Sequence, residues 1–376
     1  MTIFKRLIRA TLIVCICVAC AKKQKSSLDD FCTIAYTPTH AAGFEIRSDD
    51  RGNTLLRVMQ PWQGDEVEEQ YLALFNDEQS AVGYEGEYIV GTAKRIVCMS
   101  TSHIAMLDAI GLSDRIVGVS GKQYVMNEVV AHSEEVKDIG YDSSINYELL
   151  LALRPDIVLM YGVSAENSSV TAKLRSLDIP YIYLGDYTDL SPLGKAEWVV
   201  AVAEIAGCRE QGIAYFEGVV SRYNEVRASM DDSANRPQVM LNTPYQDVWY
   251  MPSDDSYMVQ LIEDAGGTYI YKGKNTSAGS VGISLEEAYR LVSTADIWLN
   301  VGQCRTMSDL RATAPQFIDT DVVRHGMIYN NNRRQTASGG SDFWESAIVH
   351  PDVVLRDMAA IMRGDDDSLY YHRRLK

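Results

Sequence analysis

One structural unit occurs twice in this sequence, as NYELLLALRPDIVLM at residues 146–160 and as SLEEAYRLVSTADIWLN at residues 284–300. Each copy begins with a residue type that caps helices, has a glutamate two positions later, continues with the apolar periodicity of a helix, and ends in an Asp-Ile-x-Leu strand. A helix that leads into a buried strand belongs to an α/β layer. The repeat therefore predicts two similar α/β halves.

The rest of the chain continues this alternation. Short apolar strands occur in the first half as KRIVCMS, RIVGVS, DIVLMYG and YIYLGD, and in the second half as QVMLN, VWYM and MIYN. Strands that alternate with helical stretches predict a parallel sheet flanked by helices. Between the halves, residues 191–235 have helical periodicity, and Gly207 divides a shorter predicted helix from a longer one. Residues 31–91 contain short alternating runs that predict a small β-rich extension.

The amino terminus has the form of an export signal. Three basic residues precede an apolar run at residues 10–19, which is too short to span a bilayer as a mature helix. The small Ala19 before Cys20 resembles a lipoprotein signal, in which the cysteine is lipidated after cleavage, although Cys17 stands where leucine is usual. A plain secretory signal is the alternative. We expect a periplasmic or cell-envelope protein, lipid-anchored to a membrane through Cys20.

The charge balance excludes nucleic acid as a partner. Removal of residues 1–19 takes away three basic and no acidic residues, which leaves 32 basic against 51 acidic residues and a net charge of −19. Such a chain repels nucleic acid and anionic membrane surfaces. It suits a soluble body on a tether.

The familiar motifs of catalysis and cofactor binding are absent after residue 20. That part of the sequence contains no GxGxxG, P-loop, HExxH, GxSxG or CxxC motif. Its cysteines have no metal-site spacing, and Cys98, in an apolar strand, is expected to be a buried free thiol. We therefore expect no catalytic residues, no resident cofactor and no metal ligands.

The glutamates of the repeated unit have a simple structural explanation. Ser-Leu-Glu-Glu at residues 284–287 fits a capping box, in which Ser284 caps the helix and Glu287 reaches back to it, and this leaves Glu286 without a capping role. In the first copy Asn146 caps the helix, which places Glu148 at its second position. An acid in a first turn complements the helix dipole by roughly 0.3–1 kcal/mol.

Together with two further stretches, the repeated unit resembles the substrate-binding proteins of ABC importers for vitamin B12, haem and iron siderophores. The further stretches are RIVCMSTSHIAMLDAIGLSDRIVGVS near the start and GGSDFWESAIVHPDVVLRDMAAI near the end, and the resemblance covers residues 92–364. In that family one glutamate on each lobe docks into arginine pockets of the two permease subunits. The matching positions are Glu148 and Glu286, so the resemblance implies an ABC permease dimer as the partner.

The expected fold is α/β: two lobes, each with a parallel-type sheet flanked by helices, are joined by one long rigid helix, and a small N-terminal β-rich extension is added. The resemblance implies the rigid helix and therefore a small motion of the lobes. The expected ranges are a signal peptide at 1–19, a lipidated tether at 20–30, the extension at 31–91, the N-terminal lobe at 92–190, the linker helices at 191–235 and the C-terminal lobe at 236–376.

Ligands of such folds bind outside the carboxyl ends of the strands, which line one cleft between the lobes. Ser100, Ser102, Asp186 and Tyr187 are among the residues that follow predicted strands. The aromatic, polar and cationic residues expected to contact ligand are Gln123, Tyr124, Tyr161, Tyr245, Trp249, Arg305, Arg333, Arg334 and Trp344. Such a set suits a bulky, partly apolar, anionic metal complex. Packing and surface salt bridges are the alternative roles for these residues.

The sequence leaves the cargo open among three chelates. An iron–siderophore complex is the main expectation, because its carboxylate groups would bind arginine bidentately. Haem, with Tyr124 or Tyr161 as its ligand, and cobalamin in an aromatic clamp are the alternatives.

Two other classes of function are weighed against this receptor. A chelatase-like enzyme would share a two-lobed plan and would need a histidine and an acid converging in the cleft, for which His103 and Asp186 are the candidates. A structural lipoprotein would have Glu148 and Glu286 pointing in unrelated directions and a cleft filled by side chains. The main expectation is a receptor, not an enzyme, that captures a metal chelate and delivers it to a permease.

Overall fold

The structure is a computed structural model that describes residues 27–64, 68–230, 236–275 and 279–376. The predicted signal peptide, Cys20 and most of the tether lie outside the described residues. Within these ranges, no helix combines the length and the apolar character needed to cross a bilayer.

A mainly antiparallel sheet opens the described chain. Its strands, in their order across the sheet, are β1 (Thr33–Tyr36), β2 (Phe44–Ser48), β3 (Thr54–Val58), β4 (Gln70–Phe75) and β5 (Glu87–Val90). Neighbours pair antiparallel except β4 and β5, which pair parallel and are connected through the short helix α1 (Glu78–Ala81). One face packs on the linker, where the ring of Phe44 lies 4.8 Å from that of Trp198.

The N-terminal lobe is a parallel sheet with helices between its strands. In chain order its elements are β6 (Ile96–Cys98), α2 (Thr101–Ala109), β7 (Ile116–Val119), α3 (Glu128–His132), β8 (Lys137–Asp138), α4 (Tyr147–Leu153), β9 (Ile157–Tyr161), α5 (Ser168–Ser176) and β10 (Tyr181–Leu184). The strand order is β10-β9-β6-β7-β8, and every pair is parallel. All four residues of β10 are buried, as a parallel sheet covered on both faces requires.

Two helices form the linker, α6 (Pro192–Ile205) and α7 (Arg209–Ala228). All 14 residues of α6 are buried. The 20 residues of α7 form the long helix, about 30 Å from end to end at 1.5 Å per residue. Gly207 lies between them with φ 75°, a left-handed conformation that other residues rarely adopt, so the predicted division of the linker is confirmed.

The C-terminal lobe combines a second parallel-type sheet with a separate pair of antiparallel strands. In chain order its elements are β11 (Gln238–Leu241), β12 (Val248–Met251), α8 (Tyr257–Asp264), β13 (Thr268–Tyr269), β14 (Val281–Ser284), α9 (Leu285–Val292), β15 (Ile297–Leu299), α10 (Met307–Thr313), α11 (Asp321–Arg324), β16 (Ile328–Asn330), α12 (Pro351–Arg363) and β17 (Arg373–Arg374). The main sheet has the order β13-β11-β15-β16-β17, parallel except for β17, and β12 pairs with β14. The predicted fold class is therefore confirmed.

Both copies of the repeated unit have their predicted caps. The side chain of Asn146 accepts a hydrogen bond from the amide of Leu149 at 3.0 Å, and the hydroxyl of Ser284 accepts one from the amide of Glu287 at 3.2 Å. The return bond of a full capping box, from the Ser284 amide to the Glu287 side chain, is not formed between these two residues, so this part of the prediction is wrong.

The aspartate at the end of each unit fastens its strand to a neighbour in the same way. Asp156 accepts hydrogen bonds from the amides of Lys94 and Arg95 at 2.7 and 2.8 Å, just before β6. Asp296 accepts one from the amide of Gln238 at 2.7 Å, at the start of β11. The two halves thus share a structural solution as well as a sequence pattern.

A single cluster of buried apolar side chains runs through the extension, both lobes and the linker. It contains Phe44 of β2, Ile96 of β6, Trp198 of α6 and Leu299 of β15. Because these parts share one core, a wide separation of the lobes would expose apolar surface, and this favours small motions.

One buried carboxylate fastens the extension to the linker. Glu197 on α6 has no exposed surface. Its oxygens accept hydrogen bonds from the Tyr36 hydroxyl at 2.7 Å, from the Thr39 amide and hydroxyl at 2.8 and 3.2 Å, and from the amides of His40 and Ala41, both at 2.7 Å. The segment after β1 is therefore held on α6 by hydrogen bonds to a carboxylate that is buried away from water.

We expect Glu197→Gln to lower the free energy of unfolding by about 3 kcal/mol, because an amide nitrogen cannot accept and each stranded buried donor costs about 1–3 kcal/mol. Urea titration of a chain without residues 1–25 measures the change. The control is Glu210→Gln on α7, whose side chain is 87% exposed and which should change stability by less than about 0.5 kcal/mol. Equal stabilities of the two variants would contradict the role given to Glu197.

Candidate functional site

A cavity of about 410 Å3 lies between the two lobes, beside the start of α6. The N-terminal lobe contributes residues that follow β6 and β10, which lie at the carboxyl ends of the parallel strands, where ligands of such sheets bind. The C-terminal lobe contributes α8 and the segment that leads into α12. Residues important for its chemistry are Ser102, Asp186, Lys195, Tyr257, Phe343 and Trp344.

Lys195 brings a buried positive charge to the cavity wall. Its ammonium donates hydrogen bonds to the carbonyl oxygens of Asp186 at 3.2 Å and Tyr187 at 2.7 Å, and it lies 4.9 Å from the centre of the Tyr257 ring. Burial lowers the pKa of Lys195 to about 8, although Asp186 and Asp189 favour the charged form. An ammonium has three N–H donors, of which two are used by these carbonyl oxygens.

Asp189 joins three parts of the protein beside Lys195. Its carboxylate accepts a hydrogen bond from the indole of Trp198 on α6 at 2.5 Å and one from the amide of Ala42 in the extension at 3.1 Å. Burial raises the pKa of Asp189, and these two bonds oppose the shift. The loop after β10 is therefore fixed in place, together with the carbonyl groups that hold Lys195.

The histidine and acid required by the chelatase alternative lie close together. His103 Nε2 is 3.7 Å from Asp186 Oδ1, and Asp186 lines the cavity. His103 itself has no exposed surface, and neither of its ring nitrogens has a hydrogen-bond partner among the described residues. The pair is present, but its histidine lies behind the cavity wall.

Trp344 is the predicted ligand residue that lines this cavity. Its indole is 61% exposed and packs edge-on against Phe343, with ring centres 5.1 Å apart. Phe343 is buried and also packs against Tyr371, with ring centres 6.1 Å apart. A fixed ring thus supports an indole that is free to contact a ligand.

Four other predicted ligand residues lie outside the cavity wall. Gln123, Tyr124, Tyr161 and Tyr245 are exposed on the loops and strand ends of their own lobes. Gln123 donates a hydrogen bond to the hydroxyl of Tyr141 at 2.6 Å. These four residues do not line the cavity with Trp344, although the backbone of Tyr124 meets that of Gly340 on the loop that carries Trp344.

Two predicted ligand residues have structural roles instead. Trp249 has no exposed surface, and its indole donates a hydrogen bond to the carbonyl of Leu241 at 2.8 Å, so it is a core residue and not a cleft residue. Arg334 forms an ion pair with Asp342 at 2.5 Å and stacks over the Tyr370 ring at 4.6 Å. Arg334 therefore stabilises the loop that carries Trp344.

The remaining two arginines belong to a cationic rim on the C-terminal lobe. A cavity of about 300 Å3 at the ends of β15 and β16 is lined by Thr306 and by the basic residues Arg305, Arg333, Arg373, Arg374 and Lys376. Arg305 donates a hydrogen bond to Gln335 at 2.7 Å. The loop that follows β16 connects this rim to Trp344.

Glu148 and Glu286 occupy equivalent positions in the two halves. Each is exposed, and each is the second residue of a helix, α4 or α9, that leads into a parallel strand. A helix that precedes a parallel strand runs antiparallel to it, so both glutamates lie at the sheet edge where the strands end. Both acids are therefore on the cleft side of their lobes.

The described residues contain no group of three His, Cys, Asp or Glu side chains arranged to hold a metal ion. Cys98 is a buried free thiol, as predicted.

Sequence reasoning missed Lys195, Asp189 and Tyr257. Lys195 did carry a signal, since it is the fourth residue of α6, and a cation near the start of a helix is electrostatically unfavourable. Such a placement indicates that a tertiary partner compensates for it. No comparable local signal marks Tyr257.

Comparison with known proteins identifies relatives of the α/β part of the chain. The profile of a family described as periplasmic binding protein matches residues 96–330. An uncharacterised lipoprotein of Methanocaldococcus jannaschii is 24% identical over 284 residues, which are 72% of this chain and 65% of that protein. The Fe(3+)-citrate-binding protein YfmC of Bacillus subtilis is 20% identical over 257 residues, 66% of this chain and 76% of that protein. The chain thus spans slightly less than two thirds of the length of the archaeal relative.

Solved structures share the fold at low sequence identity. A periplasmic haem-binding protein from Pseudomonas aeruginosa superposes with a TM-score of 0.56 at 17% identity, over 76% of this chain and 98% of that one. The siderophore-binding protein FhuD from Vibrio cholerae, solved with Fe3+-Desferal, gives 0.53 at 17% identity, over 72% and 99%. The vitamin B12-binding protein BtuF from the same organism gives 0.51 at 15% identity, over 73% and 99%. At these identities the likeness is one of fold.

The depressed pKa of Lys195 predicts a pH dependence of stability. The group binds its proton less tightly in the folded chain, where its pKa is about 8, than in the unfolded chain, where it is 10.5, so its contribution to stability rises with pH between these values. Relative to Lys195→Met, the wild type should gain about 2 kcal/mol of unfolding free energy between pH 7.5 and pH 9.5. Urea titrations of both proteins at the two pH values measure this difference. A constant difference would show that the ammonium is solvated.

Proposed function

Because the chain belongs to the periplasmic binding protein family, we propose that it is a lipid-anchored receptor that captures a metal chelate between its lobes and delivers it to an ABC permease. The proposed cargo is an iron–siderophore complex. In this proposal residues 92–190 and 236–376 are the lobes that enclose the chelate, and residues 191–235 are the linker.

The inter-lobe cavity is the observation that carries the proposal. Its volume of about 410 Å3 falls within the range of about 300–1,000 Å3 for small-molecule sites. Aromatic rings and a few fixed polar groups suit a chelate, which presents an apolar or amide-rich surface around its metal. The volume favours a compact ferric complex over cobalamin, whose corrin ring and nucleotide tail make a much larger molecule.

The cationic rim supports an anionic chelate. Arg305 and Arg333 are exposed at strand ends in a chain with a strong excess of acidic residues. Carboxylate groups of a ferric complex that approaches the rim, which is separate from the inter-lobe cavity, would bind such arginines bidentately, because the planar guanidinium presents paired N–H donors that match the two carboxylate oxygens. The likeness to the Fe(3+)-citrate-binding protein YfmC agrees with this chemistry.

The paired glutamates support delivery to a two-fold partner. Glu148 and Glu286 hold the same position in two like units, and both are exposed on the cleft side of their lobes. Charge pairs formed across an interface steer encounter and fix orientation. One acid on each lobe would therefore align the receptor on two permease subunits, each presenting a basic pocket.

The proposal of a lipid anchor is supported by the sequence of the amino terminus and by the names of relatives. Two relatives from Methanocaldococcus jannaschii and the Bacillus subtilis protein YvrC are named lipoproteins, and YvrC is also named an ABC transporter substrate-binding protein. Lipid on Cys20 would keep the receptor at the membrane, outside the cytoplasm.

The contact between His103 and Asp186 favours a second candidate, a chelatase-like enzyme. Metal insertion needs a base that accepts protons from the chelator, and an unpartnered imidazole beside a carboxylate is suited to that task. The complete burial of His103 argues for the receptor, because a chelator in the cavity does not reach the ring in this conformation.

We expect a ferric siderophore at 100 times its dissociation constant to stabilise the chain by about 2.7 kcal/mol. Trp344→Ala should weaken binding about tenfold, since exposed aromatic contacts in a ligand site contribute about 1 kcal/mol or more. Thermal shifts and quenching of tryptophan fluorescence measure both effects. Tyr250→Ala, which removes a ring that is 47% exposed away from the cavity, is the control and should bind like the wild type.

Haemin, cyanocobalamin and ferric citrate belong in the same screen, together with a metal-free porphyrin plus Fe2+. Binding of haemin or cyanocobalamin alone would replace the siderophore as cargo. Conversion of the porphyrin to its metal complex, lost in His103→Ala, would contradict the receptor and establish the enzyme.

The double variant Glu148→Ala, Glu286→Ala should lower uptake of radiolabelled iron chelate about tenfold or more in cells that contain the partner permease, and leave the dissociation constant unchanged within about twofold. The control is Glu128→Ala together with Glu210→Ala, which removes two other exposed glutamates, with side chains 85% and 87% exposed. Equal uptake by both double variants would exclude docking through Glu148 and Glu286.

A further inference from the structure

We propose that Glu345 is a clasp between the lobes, a positioning residue that holds the N-terminal lobe against the cavity wall of the C-terminal lobe. Its carboxylate accepts hydrogen bonds from the amide of Met126 at 2.8 Å and from that of Asn127 at 2.6 Å. These amides belong to the segment before α3, more than 200 residues away along the chain. Glu345 is 2% exposed, so the bonds form out of water.

The segments around the clasp fit closely. A Cβ atom at Gly340 would collide with the carbonyl oxygen of Tyr124, so the two backbones meet where only glycine fits. On the other side, Val125 and Val130 are buried in the main core, which fixes the segment that carries the two amides. The clasp therefore joins two anchored surfaces.

The clasp lies next to the candidate site. Trp344 and Ala347 flank Glu345 in the sequence, and both line the inter-lobe cavity. The carboxylate that holds Met126 and Asn127 therefore belongs to the same loop as two residues of the cavity wall.

Burial and neighbouring acidic groups destabilise the ionised form of Glu345. Burial raises the pKa of Glu345 to about 7, and Asp342 on the same loop and Asp108 on α2 add to the shift. The two backbone bonds oppose it. Arg334 partly neutralises Asp342, and burial lowers the pKa of His350, which disfavours its charged form.

The sign of the pH dependence follows by linkage. A carboxyl group released into water has its ordinary pKa of 4.5, so the closed clasp binds the proton more tightly than the open clasp does. The closed state is therefore most favoured below pH 4.5 and loses that advantage as the pH rises towards about 7. Deprotonation weakens the clasp.

Hydrogen exchange at the two clasped amides tests this directly and requires no ligand. In Glu345→Ala, peptides that contain Met126 and Asn127 should exchange about tenfold faster or more, because their acceptor is lost, while peptides of α6 are unchanged. Glu128→Ala, next to the clasp but exposed, should exchange like the wild type. Unchanged exchange at the two amides, or an equal increase throughout the chain, would overturn the clasp.

The pH profile separates a clasp from a merely structural role. Between pH 5.5 and pH 7.5, protection of the two amides, corrected for intrinsic exchange, should fall roughly twentyfold in the wild type and stay constant in Glu345→Gln, which cannot ionise. If Glu345→Ala does not fold, the pH profile of Glu345→Gln still tests the proposal. Parallel profiles of the two proteins would overturn the proposal. The experiment uses no ligand. A negative result would therefore contradict the clasp without bearing on the proposed binding of a chelate.

Discussion

The structure depends on a helix that is buried on every side. All 14 residues of α6 are enclosed, by the extension on one side and by helices of both lobes on the others. Burial of the charged residues on this helix requires partners, and Glu197 finds them in the extension while Lys195 finds them in the loop after β10. The linker is thus the centre of the fold and not a bridge between separate domains.

This arrangement explains the character of the candidate site. Because Lys195 and Trp198 project from a fixed helix, the loop from Asp186 to Asp189 is fixed as well, and one wall of the cavity is rigid. The opposite wall, which contains Trp344, is held to the N-terminal lobe by the hydrogen bonds of Glu345. A movement of the protein that lets a ligand enter would therefore occur mainly at this wall, which agrees with small movements of the lobes.

Features that depend on residue type and spacing could be predicted from the sequence, whereas features that depend on tertiary packing could not. The caps at Asn146 and Ser284 follow from residue type and spacing, which the sequence displays directly. The prediction that Trp249 contacts ligand in the cleft was wrong, because nothing in the sequence VWYM shows that its indole faces the core. Lys195 was missed because its significance depends on burial, which the local sequence does not encode.

The anomalous scattering of iron, in a crystal grown with a ferric siderophore, would locate the chelate in the protein. If the inter-lobe cavity holds the chelate, one strong iron peak should lie inside it, between Lys195 and Trp344. A peak at another surface, or an empty cavity in a protein that binds the chelate in solution, would show that the cavity is not the binding site.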